Sequence, residues 1–357
     1  MSGSVKLASR LREVVWSHRN IESTHALVQS LAAYAPQGSM ILIAGASGTG
    51  KSTLSRKLLA SLTGPPASWP TGQLPIISTS ICNDVQGLFS SKNFVLRLLD
   101  AVQHPFYSAP PGHSSASPSQ PPELALERIR LRYSEPHLRL TLEKSIANRE
   151  TKYIVLDEAQ HLLKSGSARK AIDNLDSIKG LAERTGTTIL LVGTFEILPI
   201  WNRSAQLNRR LQDVVLHRYY SERTDDLEEF ARILEAFEQL LPLDKKLSLV
   251  REAEYIYGCT LGIIGELSRL FAGACAQMSA LQKTSIDLAT LKQAAHCAAK
   301  LQTLRRETLG GESELRGEVA IFDSGEGPQS VPAKGPARPG RRRPMRDPVR
   351  VPQHSAN

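Results

Sequence analysis

ILIAGASGTGKSTL, residues Ile41 to Leu54, passes from an apolar strand through glycines to a lysine and a hydroxyl, then resumes as apolar helix. Gly45, Gly50, Lys51 and Ser52 fill the fixed positions of the G-x-x-x-x-G-K-[ST] phosphate loop. Glycines let the backbone curl so that successive N–H groups face one anion, and the helix starting at Lys51 adds its positive end. The expected ligand is ATP, held by Gly45, Ala46, Ser47, Gly48, Thr49, Gly50, Lys51, Ser52 and Thr53. Lys51 would reach the β- and γ-phosphates, and the Ser52 hydroxyl would ligate Mg²⁺. A glycine–serine turn would explain the glycines alone; the flanking strand and helix favour the phosphate site.

A nucleotide site also needs an acid on a neighbouring strand. YIVLDEAQHLL supplies it, with Asp157 and Glu158 where an apolar strand emerges. Asp157 is expected to hold the metal ion and Glu158 to orient the attacking water. Paired acids can also simply start a helix, but that reading leaves their pairing with an upstream phosphate loop unexplained. TILLVGT carries Thr194 to the same carboxyl edge, where ligands of open α/β sheets bind. Arg209 and Arg210, in SAQLNRRLQDVVLHRY, precede the last strand; an arginine can stabilise charge on a transferred phosphoryl group. A solvated helix face is nearly as good an account of either arginine.

Around these motifs, MILIAG, LPIIST, YIVLDE, TILLVG and DVVLHRY read as strands buried on both faces, because each apolar run is continuous. Helical patterns fill the gaps, which predicts an α/β fold with a mostly parallel five-stranded sheet between helices. Beyond about Ser221 only amphipathic helices follow: DDLEEFARILEAFEQLL, LSLVREAEYIYG, IIGELSRLFAGACAQMSAL and DLATLKQAAHCAAKLQTL. The expected organisation is an N-terminal helical segment (1–38), an α/β core (39–220) with a flexible Pro/Ser-rich insertion (108–123), a small all-α lid (221–308) and a disordered basic tail (309–357).

Composition narrows the classes further. At 357 residues with 41% hydrophobic and 22% charged content, the chain reads as globular. No apolar run is long enough to cross a bilayer, and no secretory signal opens the chain, so a cytoplasmic location is expected. Cys82, Cys259, Cys275 and Cys297 are scattered and read as free thiols. The histidines show no metal-binding spacing, and no G-x-S-x-G nucleophile turn is present. Of the net charge of +9, most lies from Lys334 on, where seven basic residues face one acid. That excess admits a polyanionic partner without identifying one.

The order of these parts resembles the AAA+ P-loop NTPases and, more narrowly, the TniB family of transposition ATPases, relatives of TnsC and IstB. GASGTGKST, YIVLDEAQHLL, LLVGTFEILPIWNRSAQLNRRL, LLPLDKKLSL and TLGIIGELSRLFAGACAQ carry the likeness, from Leu11 to Ala299. The resemblance implies a nucleotide-dependent homo-oligomer, a ring or helical filament on duplex DNA, that recruits or activates a DDE-type transposase, with a target-selection protein as a further partner. It places Lys51 and Ser52 on the nucleotide-binding positions, Asp157 and Glu158 on the magnesium and hydrolytic acids, and Thr194 on the sensor. The trans-acting arginine falls in the QL-x-x-R segment, where Arg210 fits better than Arg209. A lid arginine is the weak point: GIIGEL puts Glu266 at the comparable place and leaves Arg269 as the nearest substitute.

For DNA, the candidates are Lys92 and the cations of LERIRLRYSEPHLRL, chiefly Arg128 and Arg132, since Arg128, Arg130 and Arg132 cannot share one helical face. Such contacts would be sequence-independent and salt-sensitive. A solvated helix is the better account of any single one of them. The competing functions are a helicase loader or replication initiator of the AAA+ class, a signalling ATPase switch that does not touch DNA, and an adaptor that binds nucleotide only for stability.

Overall fold

A computed structural model describes residues 18–105, 133–198 and 211–315. Five strands, Met40–Ala44 (β1), Ile76–Ser80 (β2), Tyr153–Asp157 (β3), Thr188–Gly193 (β4) and Leu211–Val215 (β5), form one sheet in the order β2-β3-β4-β1-β5. Every pairing is parallel. The chain therefore leaves β1, crosses two strand positions to β2, and returns through β3 and β4 before β5 closes β1's other side. This brings the carboxyl ends of β1, β3 and β4 side by side.

β1 and β4 are buried along their whole length, as their continuous apolar runs require. Alternate residues feed two cores. Met40, Leu42, Leu156 and Leu191 pack on one face with helices Ser91–Ala101 (α3), Glu135–Asn148 (α4) and Ala168–Thr185 (α5). Ile41, Ile43, Val155, Leu190 and Val192 face the other way, against Arg19–Tyr34 (α1) and Lys51–Ser61 (α2). β2 corrects the expectation of strands buried on both faces. It is an edge strand whose first two residues are buried while Ser78 and Ser80 are exposed.

The helical region comprises Thr224–Leu240 (α6), Ala253–Thr260 (α7), Ile264–Ala280 (α8), Leu288–Ala294 (α9) and Ala298–Leu315 (α10). Its own core joins Phe230, Leu234 and Phe237 of α6 to Leu267, Leu270 and Phe271 of α8. The Phe237 and Phe271 rings lie 4.7 Å apart. No single described helix is long and apolar enough to cross a membrane; α7 and α8 together reach that length but meet at 110° inside this core.

Three expectations are corrected here. The stretch from Leu247 forms helix only from Ala253, after turns in which Glu238 accepts from the Ser248 hydroxyl and the Leu249 amide. DLATLKQAAHCAAKLQTL is two helices, broken after Ala294. Most consequentially, no disordered tail begins at 309, because α10 runs on to Leu315. Within it Thr308, Gly311 and Glu312 are buried. The pair Gly310–Gly311 suggests a helix end, since each glycine costs a helix interior about 1 kcal/mol relative to alanine. Tertiary contacts of Gly311 with Phe195 and of Glu312 with Arg218 overrule that cost. Cys259 and Cys275 are buried free thiols, whereas Cys297 is exposed.

Candidate nucleotide site

The carboxyl edge of the sheet gathers the predicted residues. The register pairs Ala44 with Gly193, and the Gly45 amide extends the ladder to the Gly193 carbonyl at 3.2 Å. The phosphate loop therefore opens beside Thr194. Gly48 and Gly50 have φ of +81° and +100°, the left-handed region that favours glycine. α2 begins at Lys51 with Gly50 as its N-cap and no side-chain cap, so its first amides keep their donors free of side-chain partners.

Lys51 is folded onto its own loop, donating to the Gly45 carbonyl at 3.0 Å and to the Ala46 carbonyl at 2.7 Å. Burial pushes its ammonium down to about 8, against the opposing pull of Glu158 and Asp157. An incoming phosphate would supply the anionic partner that two carbonyls only approximate. Ser52 is exposed at the start of α2. A hydroxyl and a carboxylate are hard oxygen donors suited to Mg²⁺, which is ordinarily completed by water and phosphate oxygens. Among the described residues no cluster of three or more His, Cys, Asp or Glu could hold a metal ion.

At the end of β3, Asp157 Oδ1 accepts from the Glu158 amide at 2.8 Å. Glu158 itself stands at φ 58°, ψ 38°, a left-handed conformation uncommon for a residue with a Cβ. A 3₁₀ turn, Ala159–Leu163, follows directly, so the acids do not cap an α-helix. Gln160, a residue sequence reading passed over, ties the parts together. Its Nε2 donates to Glu158 Oε2 at 2.5 Å, and its Oε1 accepts from the Thr194 amide at 3.1 Å. Gly193 leaves room for this: a Cβ there would lie 3.0 Å from Gln160 Oε1, so Gln160 would have to shift by a few tenths of an ångström. The Thr194 hydroxyl is buried and has no partner among the described residues. The signal for Gln160 was its place inside DEAQ.

Two further groups approach the loop from outside the motif. Ile21, on α1, lies so close to Gly50 that a Cβ there would meet its Cδ1 at 2.8 Å. His18 Nδ1 pairs with the Tyr219 hydroxyl at 2.9 Å, and burial above all lowers its pKa to about 4, so the ring is neutral. From the helical region, the Gly265 amide at the start of α8 donates to the Gly48 carbonyl at 2.8 Å. The lid thus touches the phosphate loop directly.

Other candidates do not join the site. Glu266 is paired with both Arg269, at 2.7 Å, and His296, at 3.0 Å. Arg269 also reaches the Ala294 carbonyl, so it is engaged within the lid. Lys92 lies in the first turn of α3 near Glu135, whose carboxyl it helps to lower. Arg209, Arg210, Arg128 and Arg132 lie outside the described residues, as do 108–123 and the basic segment after Lys334.

Residues 36–200 match the AAA domain family. No curated protein matches the chain. Among solved structures, the ORC2 protein of Aeropyrum pernix is 15% identical with a TM-score of 0.49, over 77% of this chain and 65% of that one. The Walker-type ATPase paby2304 of Pyrococcus abyssi is 17% identical, TM-score 0.47, over 83% and 75%. The RuvB Holliday junction branch migration motor of Thermotoga maritima is 13% identical, TM-score 0.40, over 78% and 68%. The chain therefore spans just under two thirds of the ORC2 protein. The family match, with the parallel five-stranded sheet and the helical region after it, identifies an AAA+ P-loop fold, which implies nucleotide binding and supports ATPase activity in general.

Proposed function

We propose that this protein is a Mg²⁺-dependent AAA+ ATPase whose ATP state assembles copies of the chain on duplex DNA, and that it serves DNA transposition by recruiting or activating a transposase. The observation that carries the nucleotide part is the Gln160 bridge. It holds the Glu158 carboxylate and the Thr194 amide in one frame, beside the loop that presents Lys51. The transposition part rests on the resemblance in DEAQHLL and in the QL-x-x-R spacing before β5.

In this reading the α2 amides and Lys51 bind the phosphates, and Ser52 with Asp157 would hold Mg²⁺, which would supply charge neutralisation when bound. Glu158 accepts a hydrogen bond from the attacking water, oriented because Gln160 fixes one of its oxygens. Thr194, whose hydroxyl lacks a protein partner among the described residues, is left to donate toward the γ-phosphate or that water. Arg210 of a second copy would complete the charge around the phosphoryl group, so that loss of the γ-phosphate loosens the assembly. Hydrolysis then acts as a timer, and slow turnover suffices.

The decisive experiment is electron microscopy of the purified protein with duplex DNA, comparing a non-hydrolysable ATP analogue with ADP. Rings or filaments on DNA only with the analogue support the proposal. A monomer indifferent to nucleotide and DNA overturns it. Co-purification with a transposase then separates the transposition role from that of an AAA+ helicase loader or initiator, which would use every nucleotide residue named above.

A further inference from the structure

Next to the phosphate loop lies a cavity of about 540 Å³, with Ala46, Ser47 and Thr194 on one side and α10 residues Leu304 to Glu314 on the other. Its core-side residues are those the γ-phosphate would adjoin. α10 reaches them through two contacts. Gly311 abuts Phe195, the residue after Thr194, so closely that a Cβ at Gly311 would lie 2.4 Å from the Phe195 side chain. Beyond it, Glu312 forms a bidentate ion pair with Arg218, at 2.8 and 3.1 Å, both side chains being under 10% exposed.

Arg218 also donates to the Tyr257 hydroxyl at 2.8 Å and the Leu261 carbonyl at 3.0 Å, so the latch grips the junction of sheet and lid. Burial works against its charge, but the hydrogen bonds and charge of Glu312 more than offset this. Elsewhere α10 is lightly held. Only Thr308, Gly311 and Glu312 are buried, Leu301, Leu304, Ser313, Glu314 and Leu315 are partly so, and Leu309 is exposed. Gly310 has nothing within 4 Å of its Cβ position, so it weakens the helix without serving a contact. A helix with a glycine pair and so small a buried face belongs to the low-stability end of the structure.

We infer that α10 is a removable cover over a self-association surface, and that the docked helix and a second copy of this chain exclude one another at the phosphate side of the site. This rests on the proposed reading that a neighbour's arginine must reach the γ-phosphate. α10 walls the cavity through which that side chain would come. A γ-phosphate engaging Thr194 would press on Phe195, and Phe195 is what Gly311 leans against, so ATP would favour release of the cover.

The test uses the full chain. Gly311→Val drives the helix off Phe195, and Glu312→Gln removes the latch charge while keeping the side chain's shape. Hydrogen exchange of residues 304–315 reports docking, and sedimentation reports self-association with a non-hydrolysable ATP analogue and duplex DNA. Expected are exchange at least about tenfold faster in both variants and an association midpoint about tenfold lower in protein concentration. If exchange shows the helix released while the midpoint stays at the wild-type value, the cover is overturned and the assembly reading stands. If the wild type associates with α10 as protected as in ADP, the cover is likewise overturned. Should neither the wild type nor either variant associate with the analogue and duplex DNA, the assembly reading itself fails, and this inference with it.

Discussion

The two walls of the cavity beside the phosphate loop belong to glycine-containing segments that are shaped by opposite means. On one wall, Gly48 and Gly50 at positive φ curl the loop from Gly45 to Gly50 into an anion-binding shape, and Lys51 donates to the Gly45 and Ala46 carbonyls. On the other, Gly310 and Gly311 sit in helical backbone, where one meets nothing and the other admits Phe195. The first glycine stretch is prescribed by a local motif. The second acquires its purpose only from what lies across the gap. Glycine spacing with a flanking strand and helix is therefore informative, whereas a glycine pair alone is not.

The largest effect should fall on the motif wall. Lys51→Met is expected to weaken ATP binding at least about a hundredfold, measured by calorimetry, since a buried charge–phosphate contact is lost. The same variant should raise the melting temperature of the nucleotide-free protein. A lysine held at about 8 opposes folding below that pH, because the unfolded chain binds the extra proton more readily. The penalty is complete below about pH 8 and fades as pH rises toward the ordinary lysine value, so the variant's advantage should shrink over that window.

Glu158→Gln should keep ATP binding and lower hydrolysis by about a hundredfold in a single-turnover assay, within the range for loss of a general base. Gln160→Ala sharpens the point: a smaller loss, about tenfold, should appear in turnover with nucleotide affinity retained, because Glu158 is still present but no longer held. Equal losses in affinity and turnover would mean that Gln160 shapes the binding loop rather than the acid.

On the tertiary wall, Glu312→Ala should destabilise the folded protein by about 3–5 kcal/mol, the usual cost of removing one partner of a buried ion pair, as read from denaturant midpoints. A loss below about 1 kcal/mol would place the pair in water. The smallest effect should be pH on affinity. Bound phosphate restores the Lys51 proton, so ATP affinity should fall as pH rises above about 8, by at most about tenfold per unit. Lys51→Met should abolish that slope.

Much of the site was legible because its chemistry is local. Asp157 and Glu158 follow four apolar residues, and a strand that ends in two acids must present them at its carboxyl edge. Gln160 was printed in the same string but carries no charge, so only the two hydrogen bonds reveal its role. Arg218 was unreadable, since its partner lies 94 residues away on a helix mistaken for tail. The single helix expected over 287–304 failed for a related reason: amphipathic spacing continues through Ala295 to Cys297, where the backbone turns. Deleting the basic tail to probe DNA affinity must therefore begin after Leu315, not at the expected boundary of 309, or it removes Glu312 as well.

By itself, the sequence determined the parallel sheet, the phosphate loop and the acid pair, because strand burial and anion binding are written in contiguous residues whose spacing fixes their geometry. Only the tertiary structure decided that α1 and α8 close on Gly50 and Gly48, that Gln160 links Glu158 to Thr194, and that α10 ends on Phe195 and Arg218. These are contacts between segments far apart in the chain. Their free energy belongs to the packed pair and leaves no periodicity or motif in either partner alone.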